Sequence, residues 1–323
     1  MGLDINGTQC ILYAHTLGVD FTRTAMIGRQ GLHLSSSDFK ANLLKFGYSY
    51  DDGSVEHMFA ERNNYAETFF RSLGSQEIHS IDYSDYEGAT HVHDMNAPIP
   101  ESFKQQYTVV VDSGSLEHIF NFPIAIKNCM EMVCVGGHYI AITPANNFMG
   151  HGFYQFSPEV FFSIFLQSNG YELDCVIAFE DSPNAEWYLV KSPASANSRV
   201  AMINSKPIYL LIVATRISGI EPFHSIPQQR DYTIAWNRNN SDAPVSVTTP
   251  DQSRRKRITL VGIAVRYTPR WIKDIVWIKR LAHLALRIIK LNAGLDILNP
   301  HCFTPLIRTD GVKSPNKTLR RTR

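Results

Sequence analysis

From residue 107 to residue 143 the chain reads YTVVVDSGSLEHIFNFPIAIKNCMEMVCVGGHYIAIT. An apolar β-branched run ends at an acid and small residues, a segment of helical spacing follows, and a second β-rich run closes the stretch. A strand apolar on successive residues is buried on both faces, and a helix between two such strands returns the chain to a parallel neighbour. This stretch therefore demands a mostly parallel sheet covered by helices. Three earlier β-type runs fit the same sheet: Thr24 to Gly28, Glu77 to Asp82 and Thr90 to Asp94. With Tyr107 to Asp112 and His138 to Thr143 they make five strands.

Helices occupy the gaps. DFKANLLKFG carries Phe39, Leu43 and Leu44 at helical spacing and stops at Gly47, PIAIKNCMEMV follows the fourth strand, and SPEVFFSIFLQSNG has a Ser157 cap, Pro158 at its first position and Gly170 as terminator. VGG at Val135 to Gly137 reads as a turn ending a helix before the fifth strand. Three further β-type runs, YELDCVIAF, EWYLVK and KPIYLLIVATRI, are separated by Pro, Asn and Ser and suit antiparallel strands at one sheet edge. The sheet domain is thus residues 1–218. Residues 219–257 form a polar, Pro-containing linker ending near RRKR, and 258–323 form an extension with a basic amphipathic helix and tail.

Charge divides along the same line. Residues 1–250 hold 14 Lys+Arg against 26 Asp+Glu, a net of −12, and residues 251–323 hold 17 against 4, a net of +13. In WIKDIVWIKRLAHLALRIIKL, Lys279, Arg280, His283, Arg287 and Lys290 make a basic stripe beside Trp271 and Trp277. Such a helix docks on an acidic domain or a second subunit, making a homo-oligomer, or lies peripherally in a membrane interface. No recognised nucleic-acid module accompanies the charge. The five cysteines lack C-x-x-C spacing, which fits a reducing compartment, and there is neither a secretory leader pattern nor an apolar run long enough to span a bilayer. The expected location is cytoplasmic, with membrane association through the extension.

Ligands of open α/β sheets collect at the carboxyl ends of the strands, where this chain places Asp82, Asp94 and Asp112. A carboxylate there accepts from ribose hydroxyls or from an exocyclic amine; as a bland alternative, Asp favours the turns in which strands end. The order of a strand, a Gly-containing loop, an acid after the second strand, D-x-N-A-P-I-P after the third, and YTVVVDSGSLEHI followed by a helix, GG and a fifth strand resembles the class I S-adenosylmethionine-dependent methyltransferases. The resemblance spans Thr24 to Ile217. It implies a Rossmann-like fold and S-adenosylmethionine as cofactor, with Asp82 on the ribose, Asp94 at the adenine amine, Asp112 and Ser113 beneath the methyl group, and Gly28 opening the loop under the methionine part. The loop itself reads MIGRQGL, with Met26 where the family has an acid and Gln30 and Leu32 where it has glycines. Arg29 in that loop offers a planar fork for a carboxylate or phosphate, or is a solvated surface residue.

The acceptor pocket of such a fold follows strand five, here PANNFMGHGFYQFSP. His151 is the first candidate for a base on an acceptor hydroxyl, Tyr154 the next. Glu117 and His118 have two readings: a metal-binding or acid–base group with Asp112, or, favoured by spacing, a Glu complementing a helix N-terminus. His91 and His93 share a strand face without a third ligand and read as structural, so no metal is expected. The expected function is methyl transfer, at oxygen, to a small or lipid- or glycan-linked acceptor. The other reading is a methyltransferase-like scaffold without catalysis.

Overall fold

A computed structural model describes residues 2–60, 64–196, 199–224, 226–229 and 296–306, with isolated positions 232, 284–285 and 317–318. In chain order the elements of the sheet domain are β1 (Gly2–Leu3), α1 (Ile5–Thr16), β2 (Arg23–Ile27), β3 (Gly31–Leu32), α2 (Ser36–Lys45), β4 (Tyr48–Ser49), α3 (Asp52–Ala60), α4 (Glu67–Ser72), β5 (Glu77–Asp82), β6 (His91–Val92), β7 (Tyr107–Ser113), α5 (Phe122–Met132), β8 (Val133–Asn146), α6 (Pro158–Ile164), β9 (Tyr171–Glu180), β10 (Trp187–Val190) and β11 (Ile208–Arg216).

Eight of these strands lie in the order β10-β9-β11-β8-β7-β2-β5-β6. β6, β5, β2, β7 and β8 are mutually parallel, while β11 runs antiparallel to both β8 and β9. Inserting one reversed strand between β8 and β9 is the Rossmann-like arrangement of class I methyltransferases, with the antiparallel edge expected from the three late β-runs. The register brings Ile27 beside Ile81 and Asp112, and Asp112 beside Ala141, so the carboxyl ends of β2, β5, β7 and β8 form one rim. Val109, Val110 and Val111 are fully buried, as a strand covered on both faces requires.

Local chemistry sets the helix ends. Ser35 caps α2 by accepting from the Asp38 N–H at 3.1 Å, and Gly47 beyond its end has φ +74°. Buried Arg216 on β11 donates from one guanidinium nitrogen to the carbonyls of Met130, Glu131 and Val133, which satisfies acceptors orphaned at the end of α5. Trp187 is buried edge-on to Tyr13 of α1, tying that helix to the antiparallel edge.

Four expectations change. VGG is no turn: β8 already runs from Val133, and the pairing with β7 shifts register between Tyr107 and Val109, with Gly136 at φ +85°, so three extra residues of β8 are absorbed as an irregularity within the strand. α6 ends at Ile164, and Gly170, at φ +77°, terminates a separate 3₁₀ turn over Gln167–Asn169. The third strand pairs only over His91–Val92. SLEHI makes a 3₁₀ turn at Leu116–His118, and α5 starts later, at Phe122 with Pro123 in its first turn.

The chain divides into two units, the first Met1–Val190, Lys206–Pro227 and Pro305–Arg323, the second Lys191–Ser205 and Gln228–Thr304. Within the second, a short helix covers Pro193–Ala196, and Lys191 bonds the Cys302 and Pro300 carbonyls through its backbone N–H and Nζ. The expected linker and basic helix fall almost wholly outside the described residues. All five cysteines are free, and among the described residues no helix is long and apolar enough to cross a membrane.

Candidate functional site

Where β7 ends, Asp112 is buried, and its Oδ1 accepts from the Ser115 and Leu116 N–H groups at 2.9 and 3.3 Å. That closes the tight turn through Gly114, φ +81°, and starts the 3₁₀ turn carrying Glu117 and His118. Beyond β8 the chain turns back through His151 and Gly152 until the Phe153 and Tyr154 N–H groups meet the Glu117 carbonyl at 2.8 and 3.2 Å. These two turns, the start of α1 and the ends of β9 and β11 surround a cavity of about 200 Å³. Its lining includes Asp4, Asn6, Ser113, Glu117, His118 and His151.

Glu117 is the unusual member. It is fully buried, and neither carboxylate oxygen has a hydrogen-bond partner; the His151 imidazole lies beside it, Nε2 3.5 Å from Oε1. The helix-end reading meets a 3₁₀ turn instead of an α-helix: Glu117 stands in the first turn of Leu116–His118. Burial, with Asp112 nearby, pushes the Glu117 carboxyl up to about 8, and burial pushes Asp112 up to about 6. The His118 and His151 rings lie 4.9 Å apart, centroid to centroid. Burial and the neighbouring His151 hold His118 below its ordinary value.

His118 and His151 thus meet, from separate stretches of sequence, over one buried acid. Tyr154 stands apart from the cavity lining, its hydroxyl donating to the Phe120 carbonyl at 2.5 Å. Outside the cavity, Phe120, Phe153 and Met149 are exposed, the two phenylalanine rings 5.7 Å apart.

The remaining residues of the expected cofactor site lie along the rim. Gly28, φ +71°, donates its N–H to the Ile81 carbonyl, which seats it beside Asp82. Asp82 is half-buried and accepts from the next residue's N–H at 2.7 Å. Asp94 is exposed and accepts from both the backbone and the side-chain amide of Asn96, bonds that hold its carboxyl below the usual range. Ser113 lines the cavity and donates to the Gly2 carbonyl at 3.3 Å.

The altered loop has a physical account. Gln30 is buried and folds its amide back onto the Ile27 carbonyl at 2.7 Å, while Gly31–Leu32 pairs with Gly2–Leu3. Arg29 bonds Glu67 at 2.7 Å and the Glu87 carbonyl at 2.8 Å and stacks over Tyr65, so its fork is used within the chain. His91 packs on His79 and Phe103.

Comparison with family models gives no match, and comparison with curated proteins gives no relative. Among solved structures the chain is similar to a Burkholderia thailandensis 1,6-didemethyltoxoflavin-N1-methyltransferase holding S-adenosylhomocysteine, at 10% identity over 66% of this chain and 78% of that one, TM-score 0.35. A Bacillus halodurans protein described as a methyltransferase is 8% identical over 65% and 99%, TM-score 0.36. A Thermus thermophilus branched-chain polyamine synthase is 11% identical over 68% and 59%, TM-score 0.32. The chemistry of the site rests on this chain's own residues.

Sequence reasoning missed Asp4, Asn6 and Tyr209. Asp4 caps α1 by accepting from the Gly7 N–H at 2.7 Å, and Asn6 donates to the Ser182 carbonyl while its own Oδ1 stays buried without a partner. D-x-x-G before a helical run is a cap signature, the one signal available for the first of these.

Proposed function

We propose that this protein transfers a methyl group from S-adenosylmethionine to a hydroxyl of a small acceptor that carries an apolar portion. The observation that carries the reading is a cavity combining a buried carboxylate with two imidazoles at the carboxyl ends of β7 and β8, next to the rim that bears Gly28, Asp82 and Ser113. S-adenosylmethionine fits the donor set at its nucleoside end: Asp82 and Asp94 are accessible carboxylates, and Gly28 has the positive φ of a tight turn. Bound there, it supplies an electrophilic methyl group.

Asp82 would accept the ribose hydroxyls, Asp94 the adenine amine, and Asp112 with Ser113 would floor the reacting end. His151 takes the acceptor's proton, with the Glu117 carboxyl 3.5 Å from its Nε2 and the His118 ring packed against it, which holds the imidazole in place. A cavity of about 200 Å³ holds only a small group. Exposed Phe120, Phe153 and Met149 then supply an apolar shelf for the rest of the acceptor, which suits a lipid- or glycan-linked molecule with a greasy end.

A second reading, a scaffold without catalysis, is favoured by Gln30 and by the β1–β3 pairing, which occupy the methionine end. Calorimetric titration with S-adenosylhomocysteine separates the two. The methyltransferase reading expects saturable binding, weakened in Asp82→Ala by about 1–3 kcal/mol, the range for hydrogen bonds to charged groups. Absence of binding at millimolar ligand favours the scaffold. Unchanged binding in Asp82→Ala removes Asp82 from the ribose site.

A further inference from the structure

We propose that Glu117, His118 and His151 bind a first-row divalent transition-metal ion. One ligand atom from each lies within 4.8 Å of the other two, on residues brought together from the turn after β7 and the turn after β8. The inference goes beyond methyl transfer and holds whether or not S-adenosylmethionine is the donor.

The first argument is the state of Glu117. A carboxylate that is fully buried with both oxygens unpartnered is costly, and buried acids are found paired, hydrogen-bonded or on a metal. The cavity lining contains neither lysine nor arginine. Two imidazoles face the acid instead, His151 Nε2 at 3.5 Å from Oε1 and the His118 ring against that of His151. Neutral imidazole gives the carboxylate little charge compensation, but it is the commonest metal ligand.

The second argument is geometric. Ligand atoms each about 2.1 Å from a tetrahedral ion stand roughly 3.4 Å from one another. The present separations exceed that by little more than 1 Å at most. Closing the gap falls to the two histidines, both exposed, while Glu117 stays fixed by its backbone carbonyl, which accepts from the Phe153 and Tyr154 N–H groups.

The third argument is chemical. One carboxylate and two imidazoles suit zinc, manganese, iron or cobalt, whereas magnesium and calcium prefer all-oxygen sets. Three protein ligands leave positions open, and here the ligands line a cavity, the arrangement of catalytic and not of closed structural sites. An ion so held polarises a hydroxyl or carbonyl oxygen entering the cavity and lowers the pKa of that hydroxyl. The cluster's part in deprotonating an acceptor would then pass from the His151 imidazole to the ion.

The test needs no methyl donor. The full chain, freed of metal by chelator and dialysis, is titrated with Co²⁺ and followed by visible absorption and calorimetry, and Zn²⁺ is then added in competition. The expected result is one equivalent bound, with d–d bands showing nitrogen ligation that Zn²⁺ abolishes. Affinity should fall at least tenfold in His118→Ala, His151→Ala and the near-isosteric Glu117→Gln, and stay unchanged in His91→Ala. The exposed histidine variants fold irrespective of the buried acid, so a failure of Glu117→Gln to fold leaves the test intact. No saturable binding at 100 µM Co²⁺, or binding undiminished in the two histidine variants, overturns the proposal.

Discussion

Gly152 decides whether the turn after β8 can reach the cavity, and Gly152→Ala tests that directly. A Cβ at this position would lie 2.7 Å from the Glu117 carbonyl oxygen and 3.2 Å from its carbonyl carbon, and the backbone sits at φ +68°. The left-handed conformation costs an L side chain about 1–2 kcal/mol. The contact is with backbone that cannot swing aside, so relief must come from moving the turn. That movement strains the bonds from the Phe153 and Tyr154 N–H groups to the same carbonyl, each worth about 0.5–1.5 kcal/mol. The expected loss is roughly 2–4 kcal/mol, read from urea unfolding curves with unchanged slope. Gly150→Ala is the control, because a Cβ there meets nothing within 4 Å, and it should stay within about 0.5 kcal/mol of the parent. The same displacement would carry His151 away from Glu117, so Gly152→Ala should also weaken Co²⁺ binding where Gly150→Ala does not. Equal stabilities of the two variants would refute the reasoning that this turn is clamped against Glu117.

Two further outcomes follow from buried polar groups. Arg216→Met removes a donor to three carbonyls at the end of α5; Met130 keeps the Tyr171 hydroxyl and Glu131 the Gln105 N–H, so the Val133 carbonyl bears the loss, which should be about 1–3 kcal/mol by chemical denaturation, and no measurable loss would mean that this carbonyl finds another donor. His138 on β8 is held below its ordinary value of 6.5, chiefly by burial, and its Nδ1 has no partner. The unfolded chain then takes up a proton that the folded chain refuses, so this residue's contribution to stability is lost as pH falls through 6.5. His138→Gln cannot protonate, so its stability relative to the parent should rise between pH 7.5 and pH 5.5 in parallel urea titrations; a constant difference would show that His138 titrates alike in both states.

The parallel sheet was legible in the sequence because its strands are apolar on consecutive residues and its helices carry local end signals: Gly47, Ser157 and Pro158 act within a turn of themselves. Asp82 and Asp112 at strand ends were legible for the same reason, since a strand's end is fixed by its own apolar run, whereas Asp94 lies two residues beyond its strand. His151 and His118 could be named one at a time, as imidazoles in turns after strands. Their meeting could not, because 32 intervening residues separate them and only the parallel pairing of β7 with β8 sets the two turns side by side. Spacing placed Glu117 in the first turn of a helical segment without showing where the side chain points. Its burial comes from the turn through Gly152, which depends on one positive φ and one close backbone approach. Gln30 belongs with it: in sequence it breaks a glycine pattern, and only in the folded chain does its amide return to the Ile27 carbonyl. Periodicity and caps are short-range and written in neighbouring residues, whereas the site is made of contacts between distant turns, which the sheet's register alone brings into range.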